Sequence, residues 1–170
     1  MIILGLDPGS LHTGYGLLEK QGSALKAIDL GRFSSPRGHL LPTRLAHMAR
    51  CLEELVERAR PDLAVLETPF HGMNSRSLVV LAEARGALLA VLGGRGVEVR
   101  EYSPAEVKSA VAGNGRADKE QVARMVRLLL ALGDGRSFAS DATDALALAI
   151  TCAHRLRMDA LTSPRRAPLP

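Results

Sequence analysis

Residues 1–18 read MIILGLDPGSLHTGYGLL. Ile2, Ile3, Leu4 and Leu6 form the short apolar run that a strand buried on both faces requires. Gly5 interrupts it, which predicts that another backbone or a ligand comes close at that point. The run ends on Asp7, with Pro8 and Gly9 behind it, so a carboxylate stands where a central strand runs out into a turn. Apolar alternation resumes after Gly14 with Tyr15 and Leu17, so the chain turns straight back as a hairpin. Alone, Asp7 would merely open an Asp-Pro-Gly turn. The rest of the chain gives it company.

Residues 62–67, DLAVLE, repeat the form: an apolar run, an acid, then a break at Thr68-Pro69. Strands are expected at 14–20, 24–33 and 97–102, the first two making an antiparallel meander with residues 2–7. Helical spacing marks 42–60, 104–111 and 117–132, and a last helix from Ser140 to Arg157. Residues 75–92 are helical and apolar almost all round, which predicts burial on every side. A second copy of the chain is one way to cover the outer face. The pattern is α/β: a five-stranded mixed sheet, a meander plus two parallel strands, flanked by helices on both faces. Residues 1–157 read as one domain and 158–170, with three prolines, as a disordered tail.

A hydrophobic content of 46% with 24% charge fits a soluble globular domain. No apolar run is expected to reach the length of a membrane span, and the first residues lack the basic start of a signal peptide. Cys51 and Cys152 have no partner spacing for zinc or a disulfide framework, so a cytoplasmic location is the expectation. The net charge of +4 is compatible with a polyanionic partner. Among 22 basic residues only Lys20, Lys26, Lys108 and Lys119 are lysines. In so arginine-rich a chain, a lysine points to a use for its compact charge. Lys119 also lies in the first turn of its helix, the wrong end for a cation if helix stability were its purpose.

Asp141 and Asp144 stand at i and i+3, on one face of the opening turn of the last helix. Such residues also serve as helix caps. With Asp7 and Glu67 at the ends of neighbouring parallel strands, however, three or four carboxylates converge without His or Cys. Crowded like charges need a counter-ion, and oxygen-only ligands suit Mg²⁺ or Mn²⁺. Two such ions about 3.5–4 Å apart are the apparatus for in-line hydrolysis of a phosphodiester.

The order of elements resembles the ribonuclease H fold, and five spaced stretches resemble the RuvC family of Holliday junction resolvases. They are LGLDPGSLHTGYGLL, LAVLETPF with Asn74, AEARGALL, SPAEVKSAVAGNGRADKEQVARMV and SDATDALALAITCAH. The resemblance implies that Asp7, Glu67, Asp141 and Asp144 hold the catalytic metals, Mg²⁺ with two ions per subunit and Mn²⁺ as substitute. It implies that Lys119 acts near the scissile phosphate, that Lys108 faces DNA, and that Phe70 stacks on an unpaired base. Asn74, Arg76 and Arg116 are the further expected DNA contacts. It also implies a homodimer through residues 75–92 and work alongside RuvA- and RuvB-type branch-migration proteins. Thr68-Pro69 departs from the family, where many members have a glutamine.

The expected activity is therefore paired symmetric nicking of four-way DNA junctions in recombination and repair, leaving 5′-phosphate and 3′-hydroxyl ends. Three rivals share parts of the pattern. Asp-Pro-Gly-Ser-x-x-Thr-Gly resembles the phosphate loop of actin-like kinases and ATPases, but those need two lobes. A ribonuclease H-like enzyme cutting RNA, and a junction-binding module without catalysis, are the other two.

Overall fold

The structure, a computed structural model, describes residues 1–35, 38–68, 75–133 and 138–162. Its elements run β1 Ile2–Asp7, β2 His12–Gln21, β3 Ala24–Ser34, α1 Leu41–Ala59, β4 Leu63–Glu67, α2 Ser75–Gly94, β5 Glu98–Tyr102, α3 Pro104–Ala112, α4 Lys119–Leu129 and α5 Ser140–Thr162. The five strands form one sheet in the order β3-β2-β1-β4-β5, with β1, β4 and β5 parallel and β2 and β3 antiparallel. This is the expected mixed sheet of a ribonuclease H-like fold.

Asp62 pins the central pair. Its carboxylate accepts from the Ile2 amide at 2.6 Å, and its own amide donates to the Ile2 carbonyl at 2.9 Å. That clamp starts β4 beside β1, so Leu6 pairs with Leu66 and the chain positions of Asp7 and Glu67 come level one residue on. Strand alternation then sorts the sheet into two faces. Leu4, Leu6, Leu17, Ala64 and Leu66 pack against Met48 and Leu52 of α1 and Leu88 and Leu92 of α2. Ile3, Leu18, Leu63 and Val65 pack against α5, with α3 and α4 over it. Asp7 and Glu67, in step with Ile3 and Val65, belong to the α5 side.

Helix α5 is the buried one. Ala145 to Ile150 are all 3% exposed or less, sandwiched between sheet and helices. Each buried Leu or Ile there contributes about 1.5–3 kcal/mol of transfer free energy. The helix continues to Thr162, five residues past its expected end, because residues 158–162 contain nothing that stops a helix. Residues 163–170 of the expected tail lie outside the described residues. Conversely, α4 stops at Leu129, where Ala131 takes a positive φ of 49° and the Leu132 amide bonds back to the Arg127 carbonyl.

Two expectations about α2 need correction. Arg76–Gly94 does reach spanning length, nineteen residues at mean hydropathy 1.6. It packs instead as an outer layer of the domain against α1 and the sheet. Nor is it buried on every side: Ala84, Arg85, Leu88 and Leu92 face inward, while Val79, Ala82, Gly86, Ala90 and Gly93 are exposed.

Candidate active site

Three glycines let α5 lie directly on the strands. A methyl group at Gly5 would lie 2.8 Å from the Ala145 carbonyl carbon and 3.2 Å from the Ala149 amide. One at Gly16 would lie 2.7 Å from Leu146 Cγ, and one at Gly14 would lie 2.8 Å from Asp141 Cβ. All are far inside ordinary carbon contact distances of about 3.5–4.0 Å. The close approach expected at Gly5 is therefore the backbone of α5. Gly14 pairs with Asp7 in β1 and with Arg32 in β3. Asp141 thus sits over Gly14, flanked by an acid on one strand and a cation on the other.

The four acids are coupled electrostatically. Burial pushes the Asp7 carboxyl up to about 7, helped by the negative charges of Asp144, Asp141 and Glu67 in that order, with Lys119 opposing. Burial also raises Glu67, with Asp144 adding to it and Lys108 and Lys119 drawing it down. The helix acids are held by cations. Lys119 Nζ is 2.7 Å from Asp144 Oδ2, and Arg32 Nη1 is 3.7 Å from Asp141 Oδ2. The hydrogen bond to Asp144 lifts the Lys119 pKa, and Asp7 and Asp141 add to it. This ion pair explains a lysine at a helix N-terminus. Asp118 caps α4, accepting from the Gln121 amide at 2.8 Å while Gln121 answers at 3.1 Å. That reciprocal cap sets Lys119 at the first helical position, aimed back at α5.

Asp7, Glu67, Asp144, Lys108 and Lys119 line one cavity of about 290 Å³, floored by Val107, Val122 and Ala147. Asp141 is not among its lining residues but acts electrostatically on Asp7. Two other expected DNA contacts lie elsewhere. Arg116 is exposed in the turn between α3 and α4, and Arg76 lies in the first turn of α2 beside a different cavity. Phe70 and Asn74 lie outside the described residues.

The structure adds three positioning groups that the sequence did not flag. Thr13 is fully buried and clips the turn behind Asp7, its hydroxyl donating to the Gly9 carbonyl at 2.9 Å. Arg32 neutralises Asp141. Arg85, 8% exposed, donates from Nη1 to the Glu67 carbonyl at 3.0 Å and ion-pairs through Nη2 with Glu101 of β5. It grips the backbone of the acid-bearing strand end. Arg85 is an arginine where its alanine-rich helix turns inward, the one signal that could have marked it.

Among the described residues, no three His, Cys, Asp or Glu side chains lie close enough together to hold a metal ion as they stand. Asp144 and Asp141 are instead paired with Lys119 and Arg32. The donor set nevertheless fits a hard divalent cation: four carboxylates, no sulfur or imidazole, and one carboxyl that burial, with three like charges nearby, pushes up to about 7.

A ribonuclease H-like sheet with acids at two adjacent strand ends, answered by two more from a helix, defines a phosphodiester-cleaving nuclease. Residues 3–152 match the family described as crossover junction endodeoxyribonuclease RuvC. The chain belongs to that family. It is 42% identical over 161 residues to the crossover junction endodeoxyribonuclease RuvC of Geobacter sp. (strain M21), covering 95% of this chain and 97% of the relative. It is 44% identical to that of Alkalilimnicola ehrlichii, covering 93% and 94%. The solved Thermus thermophilus RuvC in complex with a Holliday junction substrate superposes with TM-score 0.87 at 32% identity, covering 93% and 96%. The yeast mitochondrial Holliday junction resolvase shares the fold, with TM-score 0.71 at 13% identity over 94% and 80%.

Proposed function

We propose that this chain resolves four-way DNA junctions as a homodimer, each subunit hydrolysing one phosphodiester so that the two nicks fall symmetrically on strands of like polarity. The observation that carries the reading is the cavity where Asp7, Glu67 and Asp144 meet Lys108 and Lys119, with the Asp141 charge acting on Asp7. Asp7, Glu67, Asp141 and Asp144 would hold divalent cations, Mg²⁺ with two per subunit and Mn²⁺ as substitute. When bound, such ions supply positive charge to the reacting phosphate and lower the pKa of the attacking water.

The chain's own residues do the rest. Gly14, Thr13 and Arg85 fix where the acids sit. Lys119 releases Asp144 and turns its ammonium toward the phosphate, holding charge that develops on its oxygens. Lys108 lines the same wall and draws the backbone in. Phe70 would stack on an unpaired base, and Asn74, Arg76 and Arg116 would follow the strand away from the cut. Cleavage leaves a 5′-phosphate and a 3′-hydroxyl.

The outer face of α2 supports the dimer. Val79, Ala82, Gly86, Ala90 and Gly93 recur at three- and four-residue spacing and are exposed. Beside them, α1 and α2 enclose an apolar groove of about 490 Å³ that includes Leu45, Ala49, Ala87 and Val91. RuvA- and RuvB-type branch-migration proteins are the expected partners. The free thiols Cys51 and Cys152 accord with a cytoplasmic enzyme.

The test is cleavage of a synthetic mobile four-way junction with Mg²⁺, beside linear duplex and RNA–DNA hybrid, for wild type and Asp7→Asn. Paired symmetric nicks on the junction alone, lost in Asp7→Asn while junction binding survives, are expected. Unpaired nicks would remove the twofold assembly. Cutting of the hybrid instead would remove the substrate assignment.

A further inference from the structure

Both carboxylate oxygens of Asp141 are engaged by neighbours. Oδ1 accepts from the Ser140 hydroxyl at 3.1 Å, and Oδ2 lies 3.7 Å from Arg32 Nη1. The arginine comes to it from β3, where Arg32 pairs with Gly14 of β2. Gly14 has no side chain to stand between them, and Asp141 sits directly over it. At 3.7 Å the contact is an ion pair rather than a hydrogen bond. Both partners keep access to water, their side chains being 41% and 27% exposed. Such a pair is weak and readily exchanged. The charges acting on Asp7 are those of Asp144, Asp141, Glu67 and Lys119. Arg32 is not among them, so its charge is committed to Asp141.

We propose that Arg32 competes with divalent cations for the Asp141 carboxylate, so that this acid joins Asp7 as a metal ligand only by giving up its arginine. The event is an exchange of cations at one oxygen, Oδ2, with no bond made or broken in the chain. Among the described residues no three acids stand close enough together to hold a metal ion, which is the resting state such competition produces. Arg32 then sets how far the divalent affinity of the DNA-free protein falls below what four carboxylates alone would give. A phosphodiester entering the cavity shifts the balance. Its negative charge offers the guanidinium another acceptor and raises the demand for a cation among the acids. Metal loading and substrate entry therefore favour each other, by the same factor in both directions. Arg32 is a positioning residue here, acting through Asp141. The inference deepens the metal-dependent nuclease reading and rests on it.

Its test is Mn²⁺ binding by the full chain without DNA, measured by titration calorimetry for wild type, Arg32→Met and Arg32→Gln. Giving up an exposed ion pair weakens a competing ligand by about two- to fivefold, and both variants should bind Mn²⁺ more tightly by that factor. The same substitutions in an Asp141→Asn background should leave the affinity unchanged, because no carboxylate is left there to compete for. Added Mn²⁺ should also raise the melting temperature of Arg32→Met more than that of wild type. An unchanged affinity in Arg32→Met and Arg32→Gln, both melting cooperatively, overturns the role. Equal tightening with and without the Asp141 carboxylate overturns it too, since Arg32 would then act only as a diffuse positive charge. If neither wild type nor the variants bind Mn²⁺, the metal reading fails and this inference with it. Binding that ignores Arg32 removes this inference alone.

Discussion

Gly14→Ala should leave the protein folded and nearly inactive. The added methyl would come to 2.8 Å from Asp141 Cβ, and closer to that residue's backbone. Carbon contacts settle at about 3.5–4.0 Å, so the opening turn of α5 must retreat by about 1 Å. Gly14 also lies between Asp7 and Arg32 in the sheet, so neither strand can yield without breaking ladder bonds. The helix end can yield, because only Ser140 precedes Asp141 within α5. A displacement of about 1 Å at a reacting centre costs on the order of 10²-fold in rate, or about 2.7 kcal/mol of barrier. Single-turnover cleavage of a four-way junction should therefore slow about a hundredfold, with a melting temperature only a few degrees lower. Gly5→Ala is the control. Its methyl meets Ala145 and Ala149 in the middle of the buried helix, where nothing can retreat, and the loss should appear as unfolding. If Gly14→Ala cleaves at the wild-type rate, the close seating of α5 does not position the acids. If it unfolds as readily as Gly5→Ala, the opening turn is not the compliant part.

Two further perturbations follow from the electrostatics. The Asp7 carboxyl rises from 3.8 to about 7 on folding, so between those values the native state binds more protons than the unfolded one. Stability of the metal-free protein must fall as pH rises through that window. Asp7→Asn removes this, so with chelator it should outlast wild type in urea at pH 8, by up to a few kcal/mol, and match it near pH 4. Added Mg²⁺ should narrow the gap at pH 8; a pH-independent gap would contradict the burial of Asp7. Arg85→Met deletes the bond to the Glu67 carbonyl while leaving Glu101 half-exposed to water. It should cost about 1.5–3 kcal/mol and slow cleavage. Arg85→Lys should recover stability before rate, because one ammonium cannot span both acceptors. Equal recovery of both would make Arg85 a brace without influence on the site.

The parts of the site that were legible in sequence are those written as local pattern. Asp7 and Glu67 each end an apolar run, and Asp141 and Asp144 share a helical turn, so local spacing marked all four as candidates and their combination raised them above turn and cap residues. Gly5 announced a close approach but not by what, since its partner lies 140 residues on. Arg32 and Arg85 were illegible for the same reason, and Thr13 because its bond to Gly9, only four residues back, depends on how the hairpin turn closes. Their partners Gly9, Asp141 and Glu67 are set by pairing and packing, and each residue in isolation looks like an ordinary strand or helix polar group. The burial of helices was misjudged because apolar composition does not tell which helix is sandwiched. α5 takes that place, because α3 and α4 cover its outer side, while α2 keeps an open face.

The seating of β1 against α5 also dictates when the enzyme can exist. Asp141 and Asp144 follow Asp7 by more than 130 residues in the chain. At about 5–20 residues per second, a ribosome needs roughly 7–30 s to cover that interval. Until then the central strand has a glycine-lined groove with no helix in it. On the proposed roles of Asp141 and Asp144, a growing chain should not cut DNA until its last long helix has docked.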